Sequence, residues 1–407
     1  MSKQEQKKPT GPLTGIRVVD MTSVLMGPYS TQILADYGAD VIKIEDEKGD
    51  LLRMGGAMRS RGMGQLYMQC NRNKRSIVLD AKSDEGRAAL LRMCEKTDVF
   101  ISNVRPAAMA RLKLSYEDIK AHNPAIVYVS LVGYGQNGLY KARPAFDDLM
   151  QGISGISALI GRAQGVDPQF VPLNVADKIA GITAAHAILA ALVHKERTGR
   201  GQAVEVPMFE ILTQFVLSDH LGGYGFDPPL GPIGYNRLLS QTRRPYPTSD
   251  GFLAIVVYTD QHWRRFFQLI GRPDEYFSNP LFHDHATRTR SYDDVHRFLA
   301  VEMKTKTTAE WQAGLDAHDI PWAAVNSIEE LVEDPHIRSV DLIKTIDHPT
   351  EGRIRLVASP INFSETPSSI YRHPPGHGEH TAEILAEFAP AGATTASLST
   401  AKTQART

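Results

Sequence analysis

The sequence predicts an α/β protein of two domains, the larger built on a mostly parallel sheet with helices on both faces and the smaller of α+β type. Three observations carry this. Short apolar runs rich in β-branched residues alternate with helical stretches through the first half of the chain, the pattern of repeated strand–helix–strand units. A run dense in Gly and Pro, residues 222–234, breaks that rhythm. The length of 407 residues also exceeds what one core usually organises.

The elements follow in order. Ile16–Met21 reads as a strand, and Pro28 suits the first turn of a helix running to about Tyr37. Val41–Glu45 and Ser76–Leu79 are the next strands. Asp84–Lys96 is a helix with acids in its first turn. Val99–Val104, a helix from about Ser115, and Ile126–Val132 continue the alternation. A long Ala-rich helix opens at Asp177 and stops at Gly199, with Ala203–Val206 as the strand after it. Gly251–Val257 then starts a new unit, with helices at Asp260–Ile270, Tyr292–Met303, Thr308–Ala317 and Ile328–Glu333. Residues 350–364 alternate like a strand, and Thr381–Phe388 is a last helix. The expected boundaries are a disordered tail at 1–10, a large domain at 11–221 and a linker at 222–245. A small domain follows at 246–335, then a return linker with the C-terminal part of the large domain at 336–388, and a disordered tail at 389–407.

Composition excludes several functions. The net charge of −1 gives no field to attract nucleic acid, so an anionic ligand must be held by local cations. Two cysteines, Cys70 and Cys94, exclude a disulfide framework or a Cys-based zinc site. No apolar run of about 18 residues stands out and no signal peptide opens the chain, so a cytoplasmic protein without membrane attachment is expected. The turn Thr22–Pro28 holds one glycine where G-x-G-x-x-G would be needed, which argues against dinucleotide binding. Neither a Walker loop nor a G-x-S-x-G elbow occurs. His283 and His285, and the group His373, His377 and His380, sit in Pro/Gly-rich contexts without helical metal-ligand spacing. They read as solvated turn histidines.

Residues 171–202 are the most informative stretch. Asp177 stands at a helix N-terminus, where exposed amides favour negative charge. An N-cap is the ordinary role for such an acid, yet the preceding Pro172–Ala176 is apolar for a surface cap. Asp147 and Asp148 also flank an apolar segment, and the residues alone do not choose among 46 acids.

The choice comes from a resemblance carried by ordered markers. These are Leu13–Asp20, Gly27-Pro28, Leu34–Glu45, Gly49-Asp50, Asn73–Lys82, Asn103–Pro106, Arg111-Leu112, Asn123-Pro124, Gly133–Gln136, the Asp177 region and Gly378–Thr381. Together they resemble the class III CoA-transferases, the formyl-CoA and carnitine CoA-transferase family, from about Leu13 to Leu385. The resemblance implies a Rossmann-like domain completed by the C-terminal segment and a homodimer of interlinked ring-shaped chains. It implies Asp177 as nucleophile. Carried over by position, the CoA contacts are Leu25, Met26, Leu79, Asp80, Ala81, Lys82, Asn103, Val104, Arg105, Arg111, Pro144, Ala145, Phe146 and Asp147. One departure is Asp46, where some members place an arginine.

The implied reaction moves CoA from an acyl-CoA to a carboxylic acid through an aspartyl anhydride and an aspartyl–CoA thioester, with no cofactor beyond the CoA substrate. Backbone amides near the helix start and in the Gly-rich loop are the expected oxyanion donors. The related α-methylacyl-CoA racemases keep the aspartate but pair it with a histidine in Gly-His-Asp. Here that segment is Ala145-Phe146-Asp147, and a phenyl ring moves no proton. A non-catalytic acyl-CoA binder would keep Lys82 and Arg111 without needing Asp177. Arg237, Arg243 and Arg244 point to a second carboxylate, as in a dicarboxylic acid.

Overall fold

The computed structural model describes residues 8–390, so residues 1–7 and 391–407 of the expected tails lie outside the described residues. The chain divides into two compact units. The first gathers the chain up to Ile153, Pro172–Gln214 and the chain from His336 onward; the second gathers Ser154–Val171 and Phe215–Pro335. The second unit thus takes in 154–171 and 215–245 as well as 246–335.

In the first unit, β1 (Arg17–Met21), β2 (Asp40–Glu45), β3 (Lys74–Val78), β4 (Val99–Ser102), β5 (Val127–Val132) and β6 (Gln202–Pro207) form one sheet in the order β3-β2-β1-β4-β5-β6. All its pairings are parallel. Val18, Val19, Val41, Ile42, Phe100, Ile101, Val127 and Val129 are fully buried, as a sheet covered on both faces requires. The coverings are α1 (Met26–Asp36), α2 (Gln65–Asn71), α3 (Asp84–Glu95), α4 (Pro106–Arg111), α5 (Tyr116–His122) and α6 (Asp147–Ile153). After α7 (Ile156–Gln164), which belongs to the second unit, come α8 (Val175–Thr198) and α9 (Met208–His220). The strands of this sheet match the expected ones to within two residues, whereas α2, α4, α6, α7 and the thirteen-residue α9 are not among the expected helices.

Sequence logic is visible at the ends. Pro28 falls inside the first turn of α1, where its missing amide costs nothing. Ser115 makes a full capping box with Asp118 at the start of α5. Gly199 ends α8 at φ 69°, in the left-handed region. By length and composition α8 could cross a membrane. Lys178, His186 and His194 interrupt the apolar residues of this stretch. In the structure its small-residue face, Ala176, Ala180, Gly181, Ala184 and Ala185, is buried, and α8 packs against α1 and the sheet. Gly181 allows this approach: a Cβ there would stand 2.8 Å from the carbonyl oxygen of Met26.

The C-terminal segment closes the same unit, with a hairpin of β10 (Ile343–His348) and β11 (Gly352–Val357) and the helix α18 (Thr381–Glu387). Ile384 and Phe388 join the core, and Arg75 on β3 pairs with Glu383 and Glu387. Of the histidines expected to be solvated, His283, His285 and His377 are exposed, whereas His373 and His380 are not. His380 is buried, and its backbone amide donates to the Ser76 carbonyl at 2.9 Å. His373 pairs with Glu379 at 2.9 Å, so this turn is a clasp on the sheet.

In the second unit, α7 packs against α10 (Asn236–Leu239), which explains why 154–171 leaves the large unit. An antiparallel sheet of β7 (Tyr246–Pro247), β8 (Phe252–Ile255) and β9 (Trp322–Ala324) is accompanied by α11 (Asp260–Leu269), α12 (Pro273–Ser278), α13 (His285–Arg290), α14 (Tyr292–Met303), α15 (Thr308–Ala317) and α16 (Ile328–Glu333). Its core is aromatic, with Trp263, Phe266, Phe267, Phe282 and Trp311 buried together.

Candidate active site

Asp177 lies in the first turn of α8, at its third residue, while Asn174 is the N-cap residue and makes no side-chain cap. The capping role belongs to another acid: Asp147, at the start of α6, accepts the Asp177 backbone amide on Oδ1 at 2.9 Å. Its Oδ2 accepts from Gln151 Nε2 at 2.6 Å. The side chain of Asp177 is thereby relieved of capping. It is half-buried, and among the described residues no hydrogen bond reaches its carboxylate. Burial first, and the Asp147 charge second, push its pKa up to about 7. The helix N-terminus favours the anion, yet desolvation and a like charge outweigh it. The result is a carboxylate far more basic than an exposed one, with free oxygens. Its own amide, however, is spent on Asp147 and is not a free oxyanion donor, which narrows the expected set.

The sheet order reverses between β1 and β4, and the loops beyond their carboxyl ends form the crevice where open α/β sheets hold ligands. Asn103 bridges them, donating from Nδ2 to the Ser23 carbonyl at 2.8 Å and accepting the Ser23 amide at 3.1 Å. Beside it opens a cleft of about 230 Å³ lined by Asn103, Arg105, Gly133, Pro144, Ala145 and Phe146. The structure thus brings five of the expected CoA-contact residues together. Two cations missed in the sequence, Lys141 and Arg143, line the same cleft. Arg143 is held over the ring of Tyr140, 3.8 Å from its centre. Gly133 permits the loop closure, because a Cβ there would stand 2.3 Å from that of Ala145.

The other expected residues are placed less directly. Leu25, Met26, Leu79 and Ala81 are buried, so these positions offer backbone at the strand ends. Val104 is half-buried beside Asn103, and Asp80 and Lys82 are exposed, with the Lys82 amide donating to Asp80 at 2.9 Å. Arg111 is exposed at the end of α4 and does not line the cleft. Asp46 is occupied locally, accepting the amides of Lys48 and Gly49.

The turn carrying Leu25 and Met26 is strained and pinned. Val24 adopts φ 68°, an unfavourable region for a β-branched residue. Its amide donates to Asp50 Oδ1 at 3.1 Å, and Asp50 Oδ2 accepts from Lys43 Nζ at 2.9 Å. Lys43 also donates to the Thr22 carbonyl, and both members of the pair are fully buried. Next to them Lys74 pairs with Asp20, and burial brings the Lys74 ammonium down to about 8. A buried ionic network of this kind adds little stability but imposes one geometry on the β1–α1 turn.

A second cleft of about 720 Å³, mostly apolar, is lined by Leu25, Tyr29, Leu66, Asn174, Lys178 and Ile182 among others. Phe146, next to Asp147 in the chain, lines the basic cleft, and Asn174 and Lys178, near Asp177 in the chain, line the apolar one. Among the described residues no group of His, Cys, Asp and Glu is arranged to hold a metal. Cys70 and Cys94 are buried free thiols.

Comparison with known proteins identifies the family. The model of CoA-transferase family III matches residues 13–381. The succinate–glutarate CoA-transferase of Agrobacterium fabrum is 31% identical, over 95% of this chain and 98% of that one. The succinyl-CoA:mesaconate CoA-transferase of Haloarcula hispanica is 32% identical, over 93% and 96% of the two chains. Among solved structures, an aspartate-to-alanine variant of Rv3272 from Mycobacterium tuberculosis superposes with a TM-score of 0.80 at 27% identity, covering 93% of this chain and all of that one. With the family model matched along nearly the whole length and these relatives above 30% identity, the chain belongs to CoA-transferase family III.

Proposed function

We propose that this enzyme moves CoA from an acyl-CoA to a free carboxylic acid through covalent intermediates on Asp177. The carboxylate attacks the thioester carbonyl and the C–S bond breaks, giving an aspartyl–acyl anhydride and CoA thiolate. The thiolate then attacks the aspartyl carbonyl, releasing the donor acid and leaving an Asp177–CoA thioester. An acceptor carboxylate attacks that thioester, and the freed thiolate attacks the acceptor's carbonyl in the new anhydride, regenerating Asp177. Every step retains an activated acyl group, so no external energy source is needed.

The observation that carries this reading is the Asp177 carboxylate itself: raised in basicity to about 7, free of hydrogen bonds and released from capping by Asp147. Arg105, Lys141 and Arg143 supply the positive charge for CoA phosphates beside it. The names of the relatives make succinyl-CoA a reasonable donor and a short dicarboxylate such as glutarate or mesaconate a reasonable acceptor. A homodimer belongs to the same proposal. It is supported by the apolar cleft on the first unit, which a partner chain could cover.

The test is incubation of the enzyme with succinyl-CoA and a panel of free acids, with products resolved by mass. New acyl-CoA species, and a CoA adduct on the peptide containing Asp177, are expected. Absence of exchange with every donor and acceptor pair would remove the reading.

A further inference from the structure

The second unit contains a cavity of about 290 Å³ within its own fold, lined by Arg237, Arg243, Arg244 and Arg288. Four guanidiniums around one small space repel one another unless an anion joins them. Only Arg288 has a carboxylate partner, Asp260. No carboxylate pairs with Arg237, Arg243 or Arg244 among the described residues. Arg244 donates from Nε and Nη2 to the Gln241 carbonyl. Arg237 lies 5.8 Å and 5.4 Å from the ring centres of Tyr258 and Tyr292, and its Nε is buried without a hydrogen-bond partner. His296, also on the wall, is pushed below the usual imidazole range, chiefly by burial, with the charges of Arg237 and Arg243 adding to it. Val256, Val257 and Leu299 add an apolar stretch of wall, with Thr289 and His285 among its other residues.

We infer that this cavity is a carboxylate-recognition pocket, in which Arg237 and Arg243 grip a carboxylate of a short aliphatic dicarboxylic acid whose methylenes lie on the apolar wall. The cavity volume suits an acid of four or five carbons, and a guanidinium fork matches a carboxylate in two parallel hydrogen bonds. Naming that acid as a reactant rests on the proposed CoA transfer; the pocket's affinity for the free acid does not.

The experiment uses the full chain and two readouts. Calorimetry with glutarate, valerate and inorganic phosphate measures binding directly, for wild type, for Arg243→Gln, for the double variant Arg237→Gln/Arg243→Gln, and for Arg237→Lys in case the double variant is poorly folded. Glutarate is expected to bind wild type, with valerate and phosphate at least tenfold weaker. Arg243→Gln and Arg237→Lys should each weaken glutarate by about tenfold, and the double variant by more. In steady-state assays the KM for the dicarboxylate should rise in parallel, while the KM for acyl-CoA stays within about twofold. Glutarate affinity unchanged in all the variants overturns the pocket, whatever the catalytic result. Phosphate binding as tightly as glutarate overturns the carboxylate assignment. Glutarate binding that depends on the arginines, in a protein showing no CoA exchange, supports the pocket while the transfer reading fails.

Discussion

The backbone amide of Asp177 donates to the carboxylate of Asp147 at 2.9 Å, so one acid caps the helix on which the other stands. The contact has two effects on Asp177. It frees the side chain from capping, and it sets a like charge nearby that, with burial, raises the carboxyl pKa to about 7.

The first prediction separates these effects. If ionised Asp177 is the nucleophile, kcat/KM should rise with pH through about 7 and then level. Asp147→Asn retains an oxygen to accept the Asp177 amide but removes the charge. The acid limb of the profile should then move down by ~0.5 to 1 pH unit. An unmoved limb would show that Asp147 does not act electrostatically on Asp177.

Stability gives an independent reading of the same group. A carboxyl whose folded pKa lies above its unfolded value of about 4 binds its proton more tightly in the native state. Its stabilising contribution is full below the unfolded value and is lost as pH climbs through about 7. Asp177→Asn removes that liability. Its Tm should exceed that of wild type by at least about 2 °C at pH 8, with the difference shrinking at pH 5, while turnover falls by about three orders of magnitude or more. A variant that is inactive and also less stable at pH 8 would point to a structural role instead.

How far the sequence revealed this site depends on the scale of the signal. The central strands announce themselves through their apolar runs, as Val18-Val19 and Val127–Val129 show, although buried Asp20, Lys43 and Lys74 interrupt the pattern and the edge strand β6 is only partly buried. Short helices such as Gln65–Asn71 and Asp147–Ile153 hold too few turns for a helical period to emerge. Asp177 was reached through the family resemblance, since no local pattern distinguishes it from other acids near helix starts. The Asp147 contact could not be read at all, because it joins residues 30 apart through tertiary packing. Lys141 and Arg143 were missed for a plainer reason: in sequence an exposed cation gives no sign of facing a cleft.

Those two cations carry the third prediction. Lys141→Gln and Arg143→Gln should each raise the KM for acyl-CoA by about tenfold, near 1.4 kcal/mol, with kcat little changed. The penalty should shrink as salt rises, because the lost attraction is already screened in wild type under those conditions. A KM that stays at the wild-type value in both variants would place the CoA phosphates elsewhere.

The last prediction concerns the α-carbon of the thioester. Racemisation needs a proton removed from one face and returned to the other by two groups with pKa values near the working pH. Asp177 qualifies for one face. For the other, the position that holds a histidine in the racemases is Phe146, which lines the basic cleft with 66% of its surface exposed. Its neighbour Asp147 is no substitute, since its oxygens accept from the Asp177 amide and from Gln151 at 2.9 and 2.6 Å. Moving that proton would also cost the anchor of α8. In deuterated water, with a chiral 2-methylacyl-CoA and no acceptor acid, the enzyme should therefore leave both the α-proton and the optical purity intact. Adding a dicarboxylic acid should start CoA exchange with the α-proton still retained. Deuterium entry at a rate comparable to that exchange would reverse the assignment, making proton transfer the chemistry that Asp177 serves.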